Sequence, residues 1–387
     1  MIRRTIWVLA ATALLLGAAD KRRFNLPAPT PQGKPNPPKI VPKPQGTELT
    51  LPAGFKAELY ASGLDKPRVM LELPGGQVLV TESTPKGNVI VLSNGGKEKK
   101  ALLSGLDRPF GMALHNGYLY VAEAEAVKRY KLDTQALTAG TAEMVVPLKG
   151  YGKGHWTRSI AFDRKGKLFV SVGSGSNVDA GDPADRNAVN SYNADGSGAS
   201  IVATGLRNPV GIRFHPTSGK LWTTVQERDG LGDELVPDFF TEVKPGAFYG
   251  WPYAYIGPNE EPRHKGAKPD LVAKAIEPDV ILGAHVAVMD FAFYTGSQFP
   301  AKYKNGAFLA YRGSSGRAKR VGYSVMFVPF KGGKPAGQPE PFVTGWMLGE
   351  DKPEVWGRPV GVAQLKDGSL LVSEDGNNTI WRVSYSK

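Results

Sequence analysis

The stretch Leu103-Ser-Gly-Leu-Asp-Arg-Pro-Phe110 decides the fold, because the chain carries it three times. The other copies are Ala61-Ser-Gly-Leu-Asp-Lys-Pro-Arg68 and Ala203-Thr-Gly-Leu-Arg-Asn-Pro-Val210. Each copy runs into a short apolar strand, a turn, and a second strand, at residues 78–82, 119–123 and 221–226. The carboxyl end repeats the pattern from Arg358-Pro-Val-Gly to Leu370-Leu-Val-Ser-Glu374. A fifth copy, from Arg158-Ser-Ile-Ala-Phe-Asp to Leu168-Phe-Val-Ser-Val172, lacks the proline. A divergent sixth runs from Val288-Met-Asp-Phe-Ala-Phe293 to Gly306-Ala-Phe-Leu-Ala310. Pro74-Gly-Gly, His115-Asn-Gly, Lys165-Gly and Lys366-Asp-Gly supply hairpin turns between the paired strands. Units recurring at roughly 40–50 residues, each of four strands, stack radially into a β-propeller. Six copies predict an all-β fold of six antiparallel four-stranded blades. A strand near residues 49–59 precedes the first copy and is expected to close the ring against the last blade. A solenoid is the structural alternative, against which the irregular insertions between copies argue.

The composition agrees with one globular domain. The 387 residues are 41% hydrophobic and 22% charged, with 47 glycines and 31 prolines for turns. With no cysteine, disulfides, thiolate metal sites and thiol nucleophiles are excluded. The formal charge of +12 favours anionic ligands. The basic residues are scattered, so nucleic acid is not indicated as a partner.

Arg3 and Arg4 precede a 14-residue apolar run over residues 6–19, and Gly17 and Ala19 stand before Asp20. Residues 1–19 therefore read as a secretory signal peptide, too short for the roughly 20 residues of a span. The expected location is the periplasm or the exterior; left uncleaved, the run would anchor the chain to the membrane. Residues 20–48 are basic and Pro-rich, with eight prolines by residue 47, and read as an extended linker. The propeller is expected over residues 49–387.

The segment entering each innermost strand of a propeller sits at the mouth of the central channel. Equivalent positions from different blades thus converge on the axis. These are Asp65 and Lys66, Asp107 and Arg108, His155 and Trp156, Arg207 and Asn208, and Arg358. Cations, carboxylates, one histidine and an aromatic ring at one mouth suit a polyanion and a proton transfer. The alternative for each Asp or Arg is pairing within its own turn. His115 and His215 are expected exposed in turns, and His264 on a solvated loop. His285 precedes the fifth inner strand and is a second candidate for the channel. Tyr249 and Trp251 are expected to pack the loop after the fourth blade.

Gly154-His-Trp-Thr-Arg-Ser, Gly205-Leu-Arg-Asn-Pro-Val-Gly, Gln226-Glu-Arg-Asp-Gly-Leu-Gly-Asp233, Phe248-Tyr-Gly-Trp-Pro252 and Gly357-Arg-Pro-Val-Gly occur in this order. With them, residues 50–385 resemble the soluble sugar dehydrogenases that depend on pyrroloquinoline quinone (PQQ), most closely the sorbosone-dehydrogenase-like branch. The resemblance implies a six-bladed propeller that oxidises a sugar, aldose or related polyol and passes electrons to a soluble carrier or respiratory component. It implies PQQ held by Arg207, Asn208, Gln226, Arg358 and a basic residue of the preceding blade. That residue aligns with Arg312, although Arg317 and Lys319 are close. Guanidinium groups match the geometry of the three PQQ carboxylates. It makes His155 the general base for the substrate hydroxyl, while hydride passes to the quinone. It further implies Ca²⁺ beside the quinone, on Glu227 and Arg228 through carbonyl or side-chain oxygens that follow Thr224-Val-Gln226. This chain departs from the sugar dehydrogenases in Glu227-Arg228, where they carry Gly-Pro, and in Gly154, where they carry Asp. The 229–233 stretch also has the composition of a separate calcium loop. Substrate contacts are expected from the loops at 173–200 and 252–284. A calcium-dependent lactonase-like hydrolase and a non-catalytic binding propeller are the competing readings. The first needs carboxylates around a channel metal, and this mouth is richer in Arg and Lys.

Overall fold

A computed structural model describes residues 23–386; the signal-peptide segment at residues 1–19 lies outside the described residues. Six antiparallel sheets form a six-bladed β-propeller. Their innermost strands are Pro67–Glu72, Met112–His115, Ile160–Phe162, Asn208–Phe214, Val288–Phe293 and Pro359–Gln364. Each pairs with the second strand that the repeat foretells, for example Val78–Glu82 and Leu370–Glu374. Blade 2 splits its outermost position between Thr138–Ala139 and Glu143–Pro147, both on Ala126–Asp133. Phe55–Ala61 pairs antiparallel with Thr379–Tyr385, so the start of the propeller supplies the outer strand of the last blade. That closure completes the fourth strand of the last blade and joins the two ends of the ring.

The burial pattern follows from radial packing. Second strands lie between neighbouring blades and are buried on both faces, as in Val78–Glu82 and Leu370–Glu374. Phe55–Ala61 lies at the rim and alternates toward solvent. Aromatic side chains fill the wedge between blades 5 and 6, where Phe308 contacts Tyr303, Phe327 and Phe342.

A buried hydroxyl in the second strand stitches blades together. Ser373 Oγ accepts from Gly361 N of its own inner strand and donates to the Arg68 carbonyl of the next blade. Thr81 accepts from Val69 N and donates to the Phe110 carbonyl; Thr224 does the same between Gly211 N and Met289 O. The approach at the axis demands glycine. A Cβ on Gly361 would stand 2.1 Å from the Arg68 carbonyl oxygen. This is the physical reason for Pro-Val-Gly in the repeat.

Four inner strands carry a register shift at the mouth end, between Pro67 and Met70, Pro209 and Ile212, Val288 and Phe291, and Pro359 and Gly361. A bulge re-aims the side chains beside it. Here it turns the ends of the strands, and Arg68, Asn208 and Arg358 with them, toward the cavity.

The Pro-rich segment is extended, as its composition predicts, and it is laid on the propeller. Lys39–Ile40 pairs in parallel with Glu354–Val355, and Arg320 Nη2 donates to Asn36 Oδ1 and the Pro37 carbonyl. His215 is a correction: it is buried, not exposed, packed on Phe293 and Phe330 with Nδ1 accepting from Thr217 N and Ser218 N. Its turn folds back under the ring, a contact between blades that the local sequence does not carry. His115 is half-buried and stacked on Phe162. Tyr249 and Trp251 are buried, as expected.

Replacing the stitching hydroxyl strands a buried donor and acceptor. Ser373→Ala is expected to cost ~1–3 kcal/mol, read as a lower urea midpoint with an unchanged slope.

Candidate active site

The mouth encloses a cavity of about 400 Å³ whose walls come from blades 1, 3, 4, 5 and 6 and the turns beside them. Arg68 and Arg358 enter from inner strands, Arg312 from the end of Ala307–Tyr311, and His155 and Arg207 from the turns before blades 3 and 4.

His155 is fixed by its own turn. Its backbone N donates to the Ser174 carbonyl, and its Nδ1 lies 3.0 Å from that same oxygen. A carbonyl only accepts, so Nδ1 carries the proton and Nε2 holds the lone pair. Nε2 has no hydrogen-bond partner among the described residues. The guanidinium of Arg158, fully buried, donates to the His155 and Tyr151 carbonyls and locks the turn. Gly154 has φ +72° and a Cβ there would lie 2.4 Å from the Gly175 carbonyl oxygen. The aspartate of the sugar dehydrogenases therefore does not fit this turn. Burial, and after it the Arg207 charge, push the imidazole down to about 3, so it is neutral and ready to accept a proton.

One carboxylate organises the opposite wall. Asp375 is buried and accepts from Arg312 through Nε and Nη2, with Arg68 Nη2 at 2.6 Å. Its backbone N donates to the Arg358 carbonyl. Burial alone would raise its pKa, but Arg68 and Arg312 hold it below the usual range. The Arg358 guanidinium has no carboxylate partner among the described residues, and its Nε and that of Arg68 are buried without a partner. Burial, then repulsion from Arg312, lower Arg358 to about 10. Three cations against one anion leave this wall positive. Trp156 stacks between Arg68 and Arg108, at 5.9 and 5.6 Å.

Arg207 is held differently. Nε donates to the Asn177 carbonyl and Nη2 to Asn177 Oδ1. Nη1 donates to the carbonyls of Glu227 at 2.8 Å and Gln226 at 3.3 Å. Asn208 Nδ2 donates to Gln226 Oε1, which leaves Asn208 Oδ1 buried and unpartnered at the cavity wall. Glu227 also lines the cavity; burial raises its carboxyl to about 8, and Oε1 has no partner.

His285 lines the cavity too, its Nδ1 2.9 Å from Asp229 Oδ1 and its Nε2 2.9 Å from the Gly232 carbonyl. Of the residues expected at the mouth, Asp65, Lys66, Asp107 and Arg108 do not line the cavity. Asp107 and Arg108 pair within their own turn. Arg317 pairs with Glu234 and Lys319 is exposed, so Arg312 is the basic residue that blade 5 supplies. Arg68 and Asp375 were missed. The signal for Arg68 was its place after the repeat's proline, where other copies carry Phe110, Val210 and Val360. Asp375 had no signal, since its role exists only beside Arg68 and Arg312.

The donors expected for Ca²⁺ do not fit a metal in this arrangement. The Glu227 carbonyl already accepts from a guanidinium. Arg228 is turned away from the cavity toward Glu261, 3.5 Å from its Nε. The 229–233 loop spends Asp233 on Gln32, Gly33 N and Ala318 N, and Asp229 on His285. Among the described residues no three His, Asp or Glu side chains gather to hold a cation. Arg207 places positive charge at the Gln226 and Glu227 carbonyls instead.

PQQ is a different case. Buried guanidinium N–H groups without partners and a net positive wall suit a tricarboxylate, and Trp156 suits a planar ring.

The fold and this wall define a six-bladed propeller with a cation-lined mouth that the imidazole of His155 faces with a free lone pair. The chain belongs to the TrAA12-like family, whose model matches residues 49–246 and 263–386. An uncharacterized protein of Borreliella burgdorferi is 30% identical over 357 residues, spanning 88% of this chain and 91% of that protein. The aldose sugar dehydrogenase of Escherichia coli is 30% identical over 165 residues, 38% of this chain and 42% of that one. The holo form of the pyranose dehydrogenase PQQ domain from Coprinopsis cinerea superposes with a TM-score of 0.74 at 20% identity, over 89% of this chain and 98% of that domain.

Asp375 is the keystone of the wall, and its depressed pKa fixes the sign of its effect. Its contribution is present above about pH 4 and is lost as pH falls through the native pKa. Asp375→Asn is expected to lower the apoprotein Tm by ~6–10 °C at pH 7, the penalty of leaving paired guanidinium groups bare. The difference from wild type narrows below pH 4 in a thermal scan.

Proposed function

We propose that the cavity binds PQQ and that the chain is a PQQ-dependent dehydrogenase oxidising a hydroxyl of a sugar, aldose or related polyol. The observation that carries this reading is the wall itself. Arg68 and Arg312 share a single carboxylate, Arg358 beside them has none, and the same cavity holds an imidazole with a free lone pair. Family membership and the named relatives support it. Arg68, Arg312 and Arg358 would hold the cofactor carboxylates, with Arg207, Asn208 and Trp156 completing the pocket. Bound there, PQQ supplies a two-electron acceptor for the hydride of the substrate carbon. His155 takes the hydroxyl proton at Nε2, and its Nδ1–H on Ser174 keeps that tautomer in place. Glu227, kept protonated at neutral pH by burial, adds no negative charge beside the anionic cofactor. Export through residues 1–19 and electron transfer to a soluble carrier or respiratory component belong to the same reading. A lactonase-like hydrolase needs carboxylates ringing a cation; the guanidinium wall disfavours it.

Titration of the apoprotein with PQQ, followed by quinone absorbance and a dye-linked assay on a panel of aldoses, tests the reading. Saturable binding with turnover supports it, and no binding at micromolar PQQ overturns it. His155→Ala is expected to keep PQQ affinity within about threefold and to lower turnover by ~10²–10⁴-fold; undiminished turnover removes His155 from the reaction. Because Arg207 occupies the Gln226 and Glu227 carbonyls, chelator should change the PQQ Kd of wild type by less than about threefold. In Arg207→Ala the carbonyls are released, and added Ca²⁺ is expected to tighten PQQ by about tenfold, roughly the worth of one charge-assisted contact. Loss of wild-type binding in chelator would show that a metal, not Arg207, serves these carbonyls.

A further inference from the structure

The Pro-rich segment passes over the two loops that form one side of the mouth. Residues 229–233 contribute Asp229 to the cavity wall, and residues 313–318 contribute Gly313, Ser314, Ser315 and Gly316. Gln32 bridges them. Its Nε2 donates to Asp233 Oδ1 at 2.8 Å and to the Gly316 carbonyl at 2.9 Å, and its Oε1 accepts from Gly230 N at 3.0 Å. Around it, Thr30 N donates to the Leu231 carbonyl and Gly33 N to Asp233 Oδ1. Asp233 Oδ2 accepts from Ala318 N, which closes the contact between the loops. The fit is tight enough that a Cβ on Gly33 would lie 2.6 Å from Asp233 Oδ2.

The loop so held presents a carboxylate to the cavity. Asp229 is 63% exposed although its partner His285 is buried. One oxygen accepts from His285, and the other has no hydrogen-bond partner among the described residues. Asn177 seats the backbone of the same residue, Oδ1 accepting from Asp229 N and Nδ2 donating to Asp229 O. A fixed carboxylate with a free oxygen, in the cavity that holds His155, is a hydrogen-bond acceptor for a hydroxylated substrate.

We propose that Gln32 is a positioning residue of the site: it clasps the loop of Asp229 to residues 313–318, so that the Asp229 carboxylate accepts a hydroxyl of the sugar substrate. The inference rests on reading the cavity as a sugar-oxidising site. The segment outside the propeller is then part of the substrate pocket. A Gln suits the place because its amide donates to Asp233 and to the Gly316 carbonyl while accepting from Gly230 N.

The test uses the full chain with Gln32→Ala, Asp229→Asn and, as a control on the same segment, Lys43→Ala, whose side chain pairs with Glu48 away from both loops. Amide hydrogen exchange of the apoprotein needs no activity. Gln32→Ala is expected to speed exchange about tenfold in residues 229–234 and 313–318 only, and Lys43→Ala to leave both unchanged. In the PQQ-loaded enzyme, Gln32→Ala and Asp229→Asn should each raise KM for the sugar about tenfold, the effect of one lost hydrogen bond to a charged group. The PQQ Kd and kcat should stay within about twofold. Unchanged exchange in the two loops, exchange raised throughout the blades, or loosened loops with an unchanged KM would each overturn the proposal. A wild type that binds no PQQ and oxidises no sugar overturns the substrate role and the reading beneath it, while the exchange result still decides whether Gln32 clasps the loops.

Discussion

Arg68 and Arg312, from blades 1 and 5, meet at the buried carboxylate of Asp375 in blade 6, and the character of the mouth depends on that meeting. Asp375 cannot be buried without Arg68 and Arg312, because an isolated carboxylate in the interior would take up a proton instead. The two arginines cannot be buried without Asp375 for the same reason. Once the group is assembled, Arg358 beside it remains uncompensated, and the wall carries surplus positive charge. The stitch from Ser373 to the Arg68 carbonyl places the backbone of one of these arginines from the neighbouring blade. Ring closure and site charge are thus linked through the same few residues.

The electrostatics of the opposite side are complementary. Burial, and after it the Arg207 charge, keep the His155 imidazole neutral and leave Nε2 as a lone pair. Nδ1 faces the carbonyl and the hydroxyl of Ser174, and the carbonyl sets the tautomer without adding charge. Arg207 reaches from the turn before blade 4 to two carbonyls of the next strand, held there by Asn177 from the insertion in blade 3. The insertion therefore has a structural role at the site, fixing both Arg207 and the backbone of Asp229.

Much of the architecture was legible in the repeat. Pro-Val-Gly marks the inner strand because glycine alone permits the approach at the axis, and the hydroxyl in Val-Ser-Glu374 marks the second strand that bonds across blades. His155, Arg207, Asn208, Gln226, Arg312 and Arg358 were named from position and resemblance, and all line the cavity. Arg68 was passed over for Lys66, two residues away, because the bulge after Pro67 changes which side chain faces the axis. Asp65 and Asp107 were read as channel carboxylates, and the carboxylate that matters, Asp375, stands in a turn after a second strand. Arg228 was read as a metal ligand, and a buried Glu261 from the long loop draws its side chain away.

By itself the sequence determined the number of blades, the order of strands and the closure by an amino-terminal strand. Those properties follow from a local pattern of apolar strands, glycine and turn residues that repeats along the chain. The tertiary structure alone decided which cations are neutralised, that His155 is neutral, that the Glu227 carbonyl expected to hold a metal is held by Arg207, and that the Pro-rich segment lies on the mouth. Each of these depends on distances between residues tens to hundreds of positions apart, and charge, burial and hydrogen bonding are functions of distance in space rather than along the chain.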